Sequence, residues 1–142
     1  CNKHYNMALD YEKLEYYERK YERNPVEDAS KLLSNKWTLH ILRDLFIGKS
    51  HFNEFKANRK TLDNKSLSRC LKNMENNDLI RKENDGEDPK NTEYFLTKKG
   101  KSLNKVFYEL LIFAIENDVE NKYYSKDAKK ELKNIYKEIL KI

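Results

Sequence analysis

Cysteine, glycine and proline are scarce in this sequence, and their scarcity excludes several classes of protein. Three glycines and two prolines among 142 residues argue against a loop-rich or repetitive architecture. Two cysteines without paired spacing, Cys1 and Cys70, provide neither a disulfide framework nor a zinc site. The three histidines (His4, His40 and His51) are scattered along the chain. We therefore expect no metal and no other cofactor.

Long apolar runs and catalytic motifs are also missing. No stretch approaches the ~20 apolar residues that span a bilayer, and no secretory-signal pattern opens the chain. These observations predict a cytoplasmic protein without a membrane partner. The sequence contains no glycine-rich phosphate loop, nucleophile elbow or paired-carboxylate motif, so we do not expect an enzyme.

Charge, in contrast, is abundant, and its excess is concentrated in one segment. Charged residues make up 37% of the chain, whose net charge is +5. Residues 48–82 contain nine lysines and arginines against four acidic residues, so this segment carries the entire excess. A phosphate backbone attracts such a cluster of cations. The distribution therefore favours a nucleic-acid partner.

Residues 63–77, within this basic segment, are predicted to form an amphipathic helix. Leu67, Leu71 and Met74 recur at spacings of four and three and therefore share one stripe. Asp63 precedes the helix, where its carboxylate can accept a backbone N–H of the first turn. Side chains off the stripe are predicted to face outward: Lys65, Ser68, Arg69 and Lys72. An ordinary surface helix has the same pattern, so the neighbouring segments are needed to distinguish it from a DNA-binding helix.

The neighbouring segments predict a winged helix-turn-helix. A short helix at residues 52–58 comes before a turn and the 63–77 helix. Two apolar-polar runs, at residues 79–82 and 92–97, follow around a polar loop with glycine and proline, which indicates a β-hairpin. We therefore predict a mainly α fold of the α+β class, with the winged domain at residues 25–97.

Amphipathic helices flank this domain on both sides. Residues 1–24 form a predicted helical extension, and residues 98–142 contain two further helices. The first of these, at 98–118, is apolar over more than half of its circumference, and the second, at 125–142, has an apolar seam. We predict that the terminal helices form a homodimer. The alternative is that the last helix folds back on its own domain.

Aromatic side chains of the terminal helices also suit a small-molecule effector pocket, although sequence does not distinguish such a pocket from packed core. The candidates are Tyr11, Tyr17, Phe107 and Phe113.

A set of short motifs runs through residues 25–110. These are Lys36-Trp37-Thr38, Ile41-Leu42-Arg43-Asp44-Leu45, Gly48, Phe52-Asn53-Glu54, Lys65, Leu67-Ser68, Leu71, Glu75, Leu79-Ile80, Glu93-Tyr94, Leu96-Thr97 and Gly100. Their order and spacing resemble the HxlR-type winged-helix transcription regulators, a bacterial and archaeal group related to the MarR-like regulators.

The resemblance implies a homodimeric repressor that binds a palindromic operator. It places the 63–77 helix in the major groove and the wing, residues 84–91, on the flanking backbone or minor groove. Arg69 is then the best candidate to bind guanine and Asn64 to bind adenine. The implied DNA-facing residues are Asn64, Lys65, Ser66, Ser68, Arg69 and Lys72, with Lys90 and Asn91 at the wing tip. The alternative is a winged-helix module that binds protein instead of DNA.

Three positions depart from the family's pattern. Asn24 stands where many members carry a cysteine, which removes redox sensing through that thiol. Cys70 stands where an arginine is usual in the recognition helix, so base preference should change or one phosphate contact should be lost. Asn91 stands where the wing usually has an arginine, with Lys90 one place earlier. Cys70 is also a candidate redox sensor, because the neighbouring Arg69 and Lys72 can lower the pKa of its thiol. The alternative is that Cys70 is a small, partly buried filler.

Overall fold

The computed structural model describes residues 3–84, 86 and 88–142. Cys1 therefore lies outside the described residues, as do Asp85 and Glu87 of the predicted wing. The chain divides into two units, residues 1–34 and 35–142.

The N-terminal unit consists of two helices and a short 3-10 turn. Helix α1 spans Lys3–Tyr21 and helix α2 spans Pro25–Ser30, followed by the 3-10 turn Lys31–Leu33. The helices separate at Asn24 because its side chain accepts the backbone N–H of Glu27 at 2.9 Å and so caps α2. Proline occupies the first helical position, where its missing N–H costs nothing.

The second unit contains the predicted order of helices and hairpin. Helix α3 is followed by the short helix α4, by helix α5 and by a single antiparallel hairpin, then by helices α6, α7 and α8. Their bounds are α3 Thr38–Phe46, α4 Phe52–Lys56, α5 Asn64–Asn76, β1 Ile80–Asn84, β2 Thr92–Leu96, α6 Lys98–Lys101, α7 Asn104–Glu116 and α8 Lys126–Ile139.

One complete face of α5 is buried in the core of this unit. Leu67, Leu71 and Met74, the predicted stripe, are at most 1% exposed, and Cys70 lies among them. Ile41 of α3 and Phe55 of α4 are also fully buried. Each such side chain contributes about 1.5–3 kcal/mol by leaving water, so α5 is held firmly along its length.

The hairpin is most deeply buried at its base. Ile80 pairs with Leu96 in the register of the two strands, and both side chains are buried. Gly100 of α6 lies directly against this base, because a Cβ at that position would overlap the carbonyl oxygen of Leu79. The end of β1 at Asn84 is exposed.

The C-terminal helices differ from the prediction in one respect: the helix expected at residues 98–118 is two helices. The backbone N–H of Leu103 donates to the carbonyl oxygen of Gly100 at 3.1 Å, and this i→i−3 hydrogen bond ends α6. Asn104 starts α7, and its side chain donates to the carbonyl oxygen of Leu140 at 2.9 Å. A tertiary contact therefore accompanies the break.

Helix α8 folds back along α7 within the same chain. Besides the bond to Leu140, Lys133 forms an ion pair with Glu116 at 3.0 Å. The last helix is thus folded back on its own chain, as the alternative interpretation predicts. Dimerisation stays a prediction. Among the described residues, no helix is long and apolar enough to cross a membrane.

Candidate nucleic-acid interface

Helix α5 presents a cationic and polar face opposite its buried stripe. Asp63 caps the helix as predicted, because its carboxylate accepts the backbone N–H of Ser66 at 2.7 Å. This bond lowers the pKa of Asp63, so the cap remains charged at neutral pH. Ser66 is half-buried, and the remaining predicted residues on α5 are exposed. These are Asn64, Lys65, Ser68, Arg69 and Lys72.

Cys70 does not belong to this outward face. Its side chain is fully buried, with Sγ 3.9 Å from Thr38 Oγ1 and 4.0 Å from Met74 Sδ. Burial raises the pKa of the Cys70 thiol, so the predicted lowering is wrong, and so is the placement of position 70 against DNA. The filler interpretation fits, with complete rather than partial burial. Cys70 lies three residues after Leu67 and four before Met74, and this spacing predicts that it shares their buried stripe.

Lys90 and Asn91 lie in the loop that joins β1 to β2, next to the start of β2. They belong to the 3-10 turn Pro89–Asn91, immediately before the strand, and both are exposed. Asp88 holds this turn, because its carboxylate accepts the N–H of Lys90 and its carbonyl accepts the N–H of Asn91, both at 3.0 Å.

Lys82 and Tyr94, which the sequence reasoning did not place in the site, lie between α5 and the wing. They are cross-strand partners in the hairpin. Both line a groove with Ser68 and Lys72 of α5, and both line a second groove with Lys90. Burial, assisted by Glu75 of α5, raises the pKa of Tyr94. Lys82 thus continues the positive surface from α5 to the wing.

Arg59, one of the nine cations in the basic segment, points inward. Its guanidinium binds the buried carboxylate of Asp44 with two nitrogens, one of them 3.0 Å from Oδ1, and donates to the carbonyl of Phe55 at 2.6 Å. Asp44 is fully buried. The outward-facing positive charge is therefore smaller than the sequence count indicates.

A polar cluster attaches the wing to α4. Ser50 donates its hydroxyl to Glu93 of β2 at 2.8 Å, and its carbonyl accepts the N–H of Tyr94 at 2.8 Å. His51 lies 3.0 Å from Glu54 and 4.0 Å from Glu93. Backbone N–H groups of His51 and Ser50 lower the pKa of Glu54. These contacts fix the loop-side half of β2 relative to the helix-turn-helix.

Lys56, a third residue that the sequence did not place in the site, contacts the start of α5. Its ammonium group donates a hydrogen bond to Oδ1 of Asn64. Lys56 ends α4 and Asn64 begins α5, so the bond joins the two helices of the helix-turn-helix. Nothing in the spacing of these residues predicts that contact, because it depends on the path of the intervening turn.

Comparison with known proteins agrees with this geometry. The family model described as HxlR-like helix-turn-helix matches residues 32–123. The HTH-type transcriptional regulator YvaP of Bacillus subtilis is 33% identical over 90 residues, which cover 63% of this chain and 83% of YvaP. YodB, an HTH-type transcriptional regulator of the same organism, is 32% identical over 89 residues, covering 63% and 80%.

Solved structures confirm the predicted winged-helix fold. The HTH-type transcriptional regulator ytcD superposes with a TM-score of 0.61 at 25% identity, covering 67% of this chain and 97% of ytcD. A MarR-family regulator from Porphyromonas gingivalis W83 gives 0.58 at 28% identity, covering 68% and 94%. The redox regulator HypR in its reduced form gives 0.63 at 24% identity, covering 71% and 100%, and supports the fold alone.

Proposed function

The chain belongs to the HxlR-like helix-turn-helix family of transcriptional regulators, and from this premise we propose that it is a homodimeric repressor of the cytoplasm that binds a palindromic operator. The outward face of α5 carries the proposal. Cationic and amide side chains lie there on a helix whose opposite face is completely buried. A helix fixed on one side and cationic on the other is suited to the major groove.

The residues of this face divide into two roles. Lys65 and Lys72 neutralise phosphates, and each contact steepens the dependence of log affinity on log salt by about 0.9. Arg69 binds a guanine with two hydrogen bonds, which is worth about 1–3 kcal/mol of discrimination. Ser66 and Ser68 contact the DNA backbone.

Cations of the hairpin extend the contact beyond the major groove. Lys82 and Lys90 line one groove beside α4, and Asn91 follows Lys90 in the same turn. In the proposed complex these side chains meet the backbone or minor groove next to the bases that α5 contacts.

An exposed apolar stripe on α7 supports the homodimer. Val106, Leu110 and Phe113 are spaced by four and three residues and are 58%, 37% and 68% exposed. Such a stripe on a helix that already packs against α8 favours a second subunit as its cover. A two-fold dimer then places two α5 helices about 34 Å apart, the spacing of successive major grooves.

An effector pocket on the terminal helices is less well supported. Phe107, one of its four aromatic candidates, is buried against Phe46 with ring centres 6.1 Å apart. It therefore belongs to the core of its own unit. Phe113, which is exposed, is better explained by the dimer interface.

The experiment that tests the proposal is selection of bound duplexes from a random DNA library. We expect enrichment of a palindrome whose affinity falls with rising salt and falls further in Arg69→Ala. Arg19→Ala, which removes an exposed arginine from α1, is the matched control and should leave binding unchanged. Equal, weak binding to every duplex would overturn the proposal. The module that binds protein instead of DNA would then be the better interpretation.

A further inference from the structure

The hydrogen bond between Lys56 and Asn64 has a direct bearing on base recognition. Asn64 is exposed at the first position of α5, where a helix in the major groove comes closest to base edges. Lys56 donates to Oδ1 of its carboxamide. The bond therefore controls which end of the amide is presented to DNA.

Lys56 donates to the neutral amide oxygen of Asn64, although the carboxylate of Asp63 is next to it in the chain. Asp63 precedes Asn64 in the chain, but its Oδ1 already accepts the N–H of Ser66 as the cap of α5. Among the described residues, Lys56 forms no ion pair within 4.0 Å. The amide oxygen of Asn64 is therefore the close partner of the ammonium group.

The orientation of the amide decides which bases it can bind. Binding adenine with two hydrogen bonds requires the amide oxygen to accept from N6 while the amide nitrogen donates to N7. When the oxygen turns toward Lys56, the NH₂ group points away from it and presents donors only. Guanine offers the matching edge, since N7 and O6 are both acceptors.

We propose that Lys56 is a positioning residue that makes Asn64 a hydrogen-bond donor and so favours guanine over adenine at the base pair beneath the start of α5. This reverses the adenine preference expected for Asn64 from sequence. The inference rests on the proposed function, since it concerns the same DNA-facing surface. It adds a determinant of specificity that does not itself touch a base.

Library selection with four proteins tests the inference: wild type, Lys56→Met, Asn64→Ala and the double variant. Wild type should enrich guanine at one symmetric position of each half-site. In Lys56→Met the freed oxygen should shift that position toward adenine, by on the order of tenfold in relative binding. Asn64→Ala should lose the preference, and adding Lys56→Met should change nothing further.

Lys60→Met is the charge-matched control, because Lys60 is exposed in the turn between the same helices. It should lower affinity for all sequences alike without moving the preference. Lys56→Leu provides a second neutral variant if Lys56→Met is poorly folded, as judged by thermal unfolding.

The possible failures are distinguishable. A wild-type protein that enriches a site which Lys56→Met and Lys56→Leu enrich unchanged would overturn this inference alone, and Lys56 would be a phosphate contact like any other cation. A wild-type protein that enriches no sequence would overturn the proposed function and the inference with it.

Discussion

Helix α5 and the hairpin are both proposed to contact DNA, but their charges are opposite. The outward face of α5 carries Lys65, Arg69 and Lys72. Residues 83–91 of the hairpin contain four acidic residues and a single lysine. Phosphates attract the first surface and repel much of the second. From this difference we expect that, in the proposed complex, α5 supplies both affinity and specificity, whereas the wing binds only through its lysines.

The two regions also differ in how they are held. Four side chains of α5 are buried along its length, whereas the hairpin is buried mainly at the pair Ile80 and Leu96. The core therefore fixes the position of α5, and α5 in turn contributes to the stability of the core. The loop-side half of the hairpin depends on polar contacts of Ser50 and His51 with Glu93 of β2.

Stability should show the largest difference between the regions. Leu67→Ala removes a fully buried side chain of α5 and should lower the free energy of unfolding by about 2–5 kcal/mol. Phe95→Ala, at a half-buried position of β2, should cost less. Urea unfolding followed by circular dichroism measures both. Equal losses would show that the hairpin is as much a part of the core as α5.

DNA binding should show the next largest difference. Arg69→Ala should lose about 1–3 kcal/mol of discrimination at its base pair. Lys90→Ala should instead weaken binding to all sequences and reduce the salt slope by about 0.9. Titrations of the selected operator and a scrambled duplex at several salt concentrations separate these effects. A change of base preference in Lys90→Ala would contradict the division of roles.

Removing an acidic residue from the wing should produce a smaller effect of opposite sign. Asp88→Asn keeps an oxygen for the N–H of Lys90 but removes a charge that repels phosphate. Affinity should rise by about 0.2–1 kcal/mol, the size of a solvent-exposed charge interaction, and the gain should vanish at high salt. Asp10→Asn on α1 is the matched control. Weaker binding would mean that the carboxylate orders the wing instead.

Cys70 should show the smallest effect on DNA binding, because it belongs to the buried side of α5. Its raised pKa keeps the thiol protonated at neutral pH, and only the thiolate reacts readily. In a Cys1→Ser background, a thiol reagent should therefore react slowly with native protein and rapidly after denaturation. Mild oxidant should leave operator binding unchanged. Fast native labelling together with loss of binding would restore redox sensing as a function.

Features set by local sequence were predictable, whereas those that depend on distant partners were not. The stripe of Leu67, Leu71 and Met74 and the cap by Asp63 follow from spacing within one helix. Arg59 resembles any surface cation until α3 brings Asp44 to it, fifteen residues away in sequence. The break before α7 coincides with a bond from Asn104 to Leu140, thirty-six residues away.

The close packing at Gly100 has a consequence for the length of DNA that the proposed dimer would span. Its missing side chain lets α6 lie directly on the carbonyl of Leu79, and α6 leads into α7 with its exposed stripe. In the proposed dimer, this contact would help to set the distance between the DNA-binding surface of a subunit and the α7 stripe proposed to contact the second subunit. Gly100→Ala would push these halves apart, and the preferred number of base pairs between operator half-sites would change with them.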